Sequence, residues 1–248
     1  MDIVVASSRG VGLKPHLPRG THVYVESSAG YKELRKQALA LLPSSGNGGE
    51  RPHVYFLCGV CDITELIKDY SGRRVYKEVI FSKNPDSVID DIKNEIAFCR
   101  TKILQRGALP IFATIPKLNL ELYNKFLVDD NRTSDLRYTH KYPEMQSQID
   151  LVIDRVNVFI CETNRKLEVS IPFLHTTIMK RRGSKGKAYY KYLWDLMYDG
   201  LHAGNDLKKL WGESLTVAIQ KNRAKDYDSD ENKSPKRSWR QEKRPRLN

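Results

Sequence analysis

Asp199-Gly200-Leu201-His202 is the segment of this sequence with the most specific chemical potential. An aspartate three residues before a histidine can accept a hydrogen bond from one imidazole nitrogen. That bond fixes the tautomer and leaves the other nitrogen free to take a proton from a hydroxyl. By itself Asp-x-x-His is a common pattern, and a histidine in a loop is commonly a satisfied surface residue. Its weight comes from three other positions that follow apolar runs: Ser7 and Ser8, Gly30, and Gly59 with Cys61. In an open α/β sheet, ligands lie beyond the carboxyl ends of the strands, where such residues would gather.

The elements that must position them alternate from the start of the chain. Ile3-Val4-Val5-Ala6 is a short apolar run entering a turn, as a buried strand would. Residues 21–26 (THVYVE) and 53–58 (HVYFLC) are rich in β-branched and aromatic types and predict the second and third strands. Between them, 31–42 predicts a helix and 43–52, dense in Ser, Gly and Asn, a loop. A helical turn is expected through Leu66 and Ile67. Apolar residues near the helical period at Val88, Ile89, Ile92, Ile96, Ile103 and Leu104 predict an amphipathic crossover helix over 87–105. A fourth strand is expected at 109–115, an irregular lid-like insertion at 116–143, and a long helix at 146–167 with Asn157 and Asn164 on its polar face. A last strand is expected at 169–174 and a closing helix at 205–220. The alternation of strands and helices predicts a three-layer α/β/α, flavodoxin-like fold with a parallel sheet in the order 2-1-3-4-5.

The chain has 248 residues, 40% of them apolar, enough to bury a substantial core as one domain, 1–220. Residues 221–248 change to a basic, apolar-poor composition that predicts a disordered tail. No apolar run reaches the roughly 20 residues of a membrane-spanning helix. The start of the chain lacks the charged and apolar regions of a secretory signal, so an intracellular location, cytoplasmic or nuclear, is expected. Cys58, Cys61, Cys99 and Cys161 are then expected as free thiols. Neither a cofactor nor a metal site is expected, because no second Cys/His pair stands at ligand spacing.

A formal charge of +12 favours polyanionic partners. It concentrates in two places. Lys180, Arg181, Arg182, Lys185 and Lys187 precede the Asp199 segment, interleaved with Tyr189, Tyr190 and Tyr192, and could bind phosphates and stack bases or form a solvated loop. Lys236-Arg237 and Lys243-Arg244-Pro245-Arg246 are of the kind read by nuclear import receptors or that bind nucleic acid, and also match a solvated tail.

In order and spacing, the four segments resemble the blocks of the SGNH (GDSL-type) hydrolase family. Ala6-Ser7-Ser8-Arg9-Gly10-Val11-Gly12-Leu13 is similar to the first block, Gly30 to the second, Gly59-Val60-Cys61-Asp62 to the third, and Asp199-Gly200-Leu201-His202 with Leu210-Trp211 beyond to the fifth. The resemblance spans Ile3 to Gln220. It implies an esterase acting on an acylated small-molecule substrate, with Ser8 as nucleophile, His202 as base and Asp199 orienting it. It also implies an oxyanion hole from the N–H groups of Ser8 and Gly30 and the side chain at Cys61. Ala6 and Ser7 stand where the family has Gly-Asp. Cys61 stands where it has the Asn whose amide is the third oxyanion donor, and a thiol donates weakly. A second reading follows from that departure: a catalytically impaired SGNH-like module, of viral or mobile-element origin, that binds nucleic acid or a protein partner. Cys58-Gly59-Val60-Cys61 also admits a dithiol redox reading, against which the order of elements argues, since Cys58 falls at the end of a strand rather than the start of a helix.

Overall fold

The computed structural model describes residues 1–43, 51–71, 74–130, 132–133, 136–182 and 189–231. In chain order these form strands β1 (Asp2–Ala6) and β2 (His22–Val25), helix α1 (Tyr31–Leu41), strand β3 (His53–Leu57) and the short helix α2 (Val60–Ile63). Strands β4 (Glu65–Ser71) and β5 (Arg74–Ile80), helix α3 (Pro85–Gln105), strand β6 (Leu109–Phe112) and helix α4 (Leu120–Asp129) follow. Helix α5 (Tyr142–Lys166), strands β7 (Met179–Arg182) and β8 (Tyr189–Tyr192) and helix α6 (Asn205–Glu231) complete the elements of the described residues.

The central sheet runs β2-β1-β3-β6 with every pair parallel. Its residues are apolar on both faces because both faces are covered. Ile3, Val5, Val54, Phe56 and Phe112 point into a core shared with α1, α3 and α5. Val4, Ala6, Tyr55, Leu57, Ile111 and Ala113 point into a second core, closed by Leu207, Trp211, Leu215 and Ile219 of α6. The three-layer α/β/α architecture and the first four places of the strand order are as the sequence predicts.

Residues 169–174 depart from that expectation, for they pair with no strand. Pro172 cannot donate to a ladder, and its carbonyl instead accepts from the N–H (3.1 Å) and the hydroxyl (3.3 Å) of Thr114, just past β6. The free edge of β6 is closed by other means. Pro110 has no N–H to leave open. Asn164 of α5 accepts from the Phe112 N–H (3.0 Å) and donates to its carbonyl (2.7 Å), so one side chain replaces a strand partner. Asn157 treats Ile115 the same way, at 2.7 and 2.9 Å. Both side chains are buried rather than on a polar helix face. The device recurs: Asn124 of α4 pairs with both backbone groups of Val79 (2.8 Å each) and Asn222 of α6 with those of Ser170.

Three further segments differ from expectation. Around Leu66 and Ile67 the chain forms an antiparallel hairpin, β4–β5, rather than a helical turn. The 116–143 insertion contains α4, which packs on β5, and the buried Glu78 carboxylate accepts from the N–H groups of Arg137 and Tyr138 and the Tyr142 hydroxyl. The basic run before Asp199 contains the antiparallel hairpin β7–β8.

Helix α6 continues past the expected boundary at 220 to Glu231. Its extension is docked by polar contacts that hydrophobicity does not report. Arg223 Nε donates to the buried Asp2 carboxylate (2.7 Å), and His53 lies between Asp2 and Asp226, its Nε2 2.8 Å from the latter. Burial alone would raise the Asp2 carboxyl, but His53 and Arg223 outweigh it and hold it below the ordinary range. The rest of the expected tail, 232–248, lies outside the described residues.

Replacing Asn164 with Leu keeps the branched shape of the side chain but leaves two backbone groups of β6 unpaired in the interior. A stability loss of about 2–4 kcal/mol is expected from urea unfolding, at about 1–3 kcal/mol per orphaned buried group. A loss under about 1 kcal/mol would show that the amide does not carry the edge.

Candidate active site

Ser8 begins a single 3-10 turn, Ser8–Gly10, directly where β1 ends. Ser7 N–H donates to the Leu57 carbonyl (3.0 Å) and Gly10 N–H to the Ser7 carbonyl (2.8 Å), which fixes the turn over the carboxyl end of the sheet. His202 reaches it from the far end of the sequence, with Nε2 3.0 Å from Ser8 Oγ across 194 positions. On its other side, His202 Nδ1 lies 2.6 Å from Asp199 Oδ2. An ionised carboxylate only accepts, so Nδ1 carries the proton and Nε2 is the acceptor facing the Ser8 hydroxyl.

The loop that presents Asp199 and His202 is closed on itself. Asp199 Oδ1 accepts from the backbone N–H groups of Leu201 (2.9 Å) and His202 (2.6 Å), an aspartate turn that any Asp-x-x-His can form. Tyr198 N–H donates to the His202 carbonyl (2.7 Å), and Asn119 N–H to that of Gly200 (2.9 Å). Burial works to raise the Asp199 carboxyl, but the His202 side chain and the backbone donors outweigh it and hold it below the ordinary carboxylate range. It therefore remains an ionised partner for the imidazole.

Beside the serine, Arg9 turns inward and is 6% exposed. It donates to three carbonyls: Leu201 (3.1 Å) in the histidine loop, and Pro116 (2.7 Å) and Lys117 (3.5 Å) after β6. Desolvation lowers its pKa to about 10, against which Cys61 and Asp199 act, so it stays charged at neutral pH. Arg9 thus ties the turn of Ser8 to the loop of His202, a contact that the sequence reading missed. Its signal was an arginine set directly against the end of an apolar strand.

Gly30 caps the N-terminus of α1, and a Cβ there would lie 2.3 Å from Asp62 Oδ1. Only glycine leaves room for that carboxylate, which accepts from Tyr31 N–H at 3.2 Å. Burial pushes Asp62 up from 3.8 to about 6, aided by Glu33 and Glu95. The Gly30 N–H donates to Glu33 Oε2 (3.2 Å). Gly59 adopts φ +118°, a left-handed conformation that ends β3 and starts α2. Cys61 follows on α2, half-buried, where it feels Arg9.

All four cysteines are free thiols. Burial pushes Cys61 up to about 11 and raises Cys58 well above the ordinary thiol range. A redox dithiol needs the opposite, a lowered thiol. Among the described residues, no group of three or more His, Cys, Asp or Glu side chains could hold a metal ion, and no helix is long and apolar enough to cross a membrane.

His202 is 32% exposed on its side chain, and the Tyr123 ring meets it edge-on at 6.0 Å. Neither of two surface clefts, of about 350 and 620 Å³, is lined by Ser8 or His202. Lys180 and Arg182 are exposed on β7. Nothing is described of the Arg181 side chain, and Lys185, Lys187, Lys236, Arg237, Lys243, Arg244 and Arg246 lie outside the described residues.

No protein-family model matches the chain. No curated protein matches its sequence. Solved structures do match its fold. A GDSL-like lipase from Bacteroides thetaiotaomicron superposes with TM-score 0.54 at 11% identity, covering 89% of this chain and 87% of that one. A member of the lipolytic G-D-S-L family from Veillonella parvula gives 0.52 at 10% identity, covering 88% and 97%. A lipase/acylhydrolase from Enterococcus faecalis gives 0.51 at 13% identity, covering 88% and 95%. The chain carries the fold of the GDSL and SGNH hydrolases, at 10–13% sequence identity to these structures.

Proposed function

We propose that the chain is a serine hydrolase that cleaves a carboxylic ester by acyl transfer to water. The observation that supports this reading is the relay from Asp199 through His202 to Ser8, at 2.6 and 3.0 Å. Ser8 Oγ attacks the ester carbonyl carbon while His202 Nε2 takes its proton. The carbonyl oxygen becomes an oxyanion, met by the N–H groups of Ser8 and Gly30. Collapse expels the alcohol, which receives the proton from His202, and water then releases the acid from the acyl-serine through the same base. Catalysis is slow for two reasons. Gly30 N–H must be shared with Glu33, and Cys61 offers a thiol where an amide would donate strongly.

Hydrolysis of p-nitrophenyl acetate tests this directly. Ser8→Ala and His202→Ala should each lower kcat by at least about 10³-fold, and equal rates for the wild type and Ser8→Ala would instead favour an impaired, binding-only module. If the missing donor limits the rate, Cys61→Asn should raise kcat by about tenfold or more with little change in KM, since one oxyanion donor is worth about 10²–10³. A fall in kcat would show that the thiol has another role.

The oxyanion turn also carries a pH dependence through Asp62. Its folded pKa of about 6 exceeds the ordinary 3.8, so the folded state holds the proton more tightly. This contribution to stability is present at low pH and is lost as pH rises from about 4 through about 6, an amount of about 3 kcal/mol. Asp62→Asn removes it. Comparing the two proteins by urea unfolding at pH 4.5 and 7.5, the wild type should gain stability relative to the variant at the lower pH. A pH-independent difference would refute the burial argument.

A further inference from the structure

Hairpin β7–β8 takes no part in the proposed chemistry, yet it combines the chain's basic character with an aromatic surface. Its register sets Met179 opposite Tyr192 and Lys180 opposite Lys191. Residues directly opposite in an antiparallel pair share a face, and alternate residues along a strand share it too. One face therefore carries Met179, Tyr192 and Tyr190, and all three line a cleft of about 350 Å³ whose other walls include Lys117, Asp154 and His175. The other face carries Lys180, Arg182 and Lys191, all exposed.

The cleft is built to hold a flat, hydrogen-bonding group. Tyr192 is fixed by stacking on Trp194, with centroids 5.1 Å apart and planes 21° apart. Tyr190 is 63% exposed, a large ring without cover. His175 Nδ1 is buried without a hydrogen-bond partner, and desolvation lowers the pKa of its imidazole, so the ring is neutral, with one donor and one acceptor nitrogen. Asp154 accepts from Lys117 Nζ at 3.0 Å and keeps further lone pairs for a ligand. The volume lies within the range of small-ligand pockets, enough for one nucleobase with its sugar. The ribbon is only two strands wide, about 5 Å between them. A single strand crossing the edge of so narrow a ribbon would pass from the ring surface of the inner face to the basic side chains of the outer one.

We propose that this hairpin binds single-stranded nucleic acid, one base entering the cleft against Tyr190 and Tyr192 while the adjoining phosphates meet Lys180, Arg182 and Lys191. A duplex offers phosphates but no free base face, so stacking separates the two substrates. An anionic membrane offers neither a base nor a reason for polar groups deep in the cleft.

Fluorescence anisotropy of the full chain with a labelled oligouridylate tests the proposal, with a duplex of equal length and phosphatidylserine vesicles as comparisons. Tyr190→Ala should weaken single-strand binding by about 5- to 150-fold and duplex binding hardly at all, and Tyr190→Phe should restore it. Replacing Lys180, Arg182 and Lys191 together with Ala should make the slope of log K against log salt shallower by about 2, from three phosphate contacts at about 0.7 each. Ester hydrolysis should be unchanged in every variant, so binding and catalysis are judged apart. Equal affinity for single strand and duplex with no effect of Tyr190→Ala would overturn the proposal. So would vesicle binding that the triple variant abolishes while oligouridylate fails to bind.

Discussion

A buried asparagine can present a donor and an acceptor to one residue of a strand, and this substitution of side chain for backbone underlies the whole arrangement. Strand β6 is the open edge of the sheet, and unpaired N–H and C=O groups in the interior are costly. Asn164 and Asn157 satisfy Phe112 and Ile115, two turns apart on the same face of α5. They hold β6 and the residues after it in one position relative to the helix. The carbonyls of Pro116 and Lys117 follow at once, and these, with that of Leu201, receive Arg9. Arg9 is the neighbour of Ser8, and Leu201 the neighbour of His202. A continuous line of polar contacts thus runs from the edge of the sheet to the serine and the imidazole.

Much of this was legible from residue types. The strands β1, β3 and β6 read as apolar runs because the sheet is covered on both faces, and the crossover helix α3 buries Val88, Ile89, Ile92, Ile96 and Ile103 as its periodicity named, with Leu104 partly buried against the other core. The grouping of Ser8 with Asp199 and His202 came from the resemblance of their segments to the SGNH blocks, and the structure brings the three side chains together. What was illegible shares one cause: satisfaction of polar groups by distant partners. Asn157 and Asn164 counted as polar residues and so were assigned to the solvent side, although they stand among Val152, Ile153, Val156 and Ile160. Residues 169–174 have a strand's composition, but Pro172 removes a donor and Asn222 claims both backbone groups of Ser170.

The length of α6 was illegible for the same reason. Composition changes after Gln220, so hydrophobicity marks a boundary there. The helix continues because Arg223 and Asp226 meet Asp2 and His53 at the amino-terminal edge of the sheet. A charge in a basic segment counts toward disorder in any composition scale, yet here it neutralises a buried carboxylate. Arg9 is the parallel case at the other end of the strands, a charge that reads as surface and serves as an internal tie.

The separation of 194 positions between Ser8 and His202 sets an order of events in the life of the molecule. A nascent chain emerging from the ribosome presents its serine first and must wait for nearly the whole domain before an imidazole can reach it. Closing so long a loop costs little more than closing a moderate one, because the entropic penalty grows only with the logarithm of length. The delay is therefore one of synthesis rather than of energy. A partly made or prematurely terminated polypeptide lacking residues 199–202 would hold Ser8 with no imidazole to accept its hydroxyl.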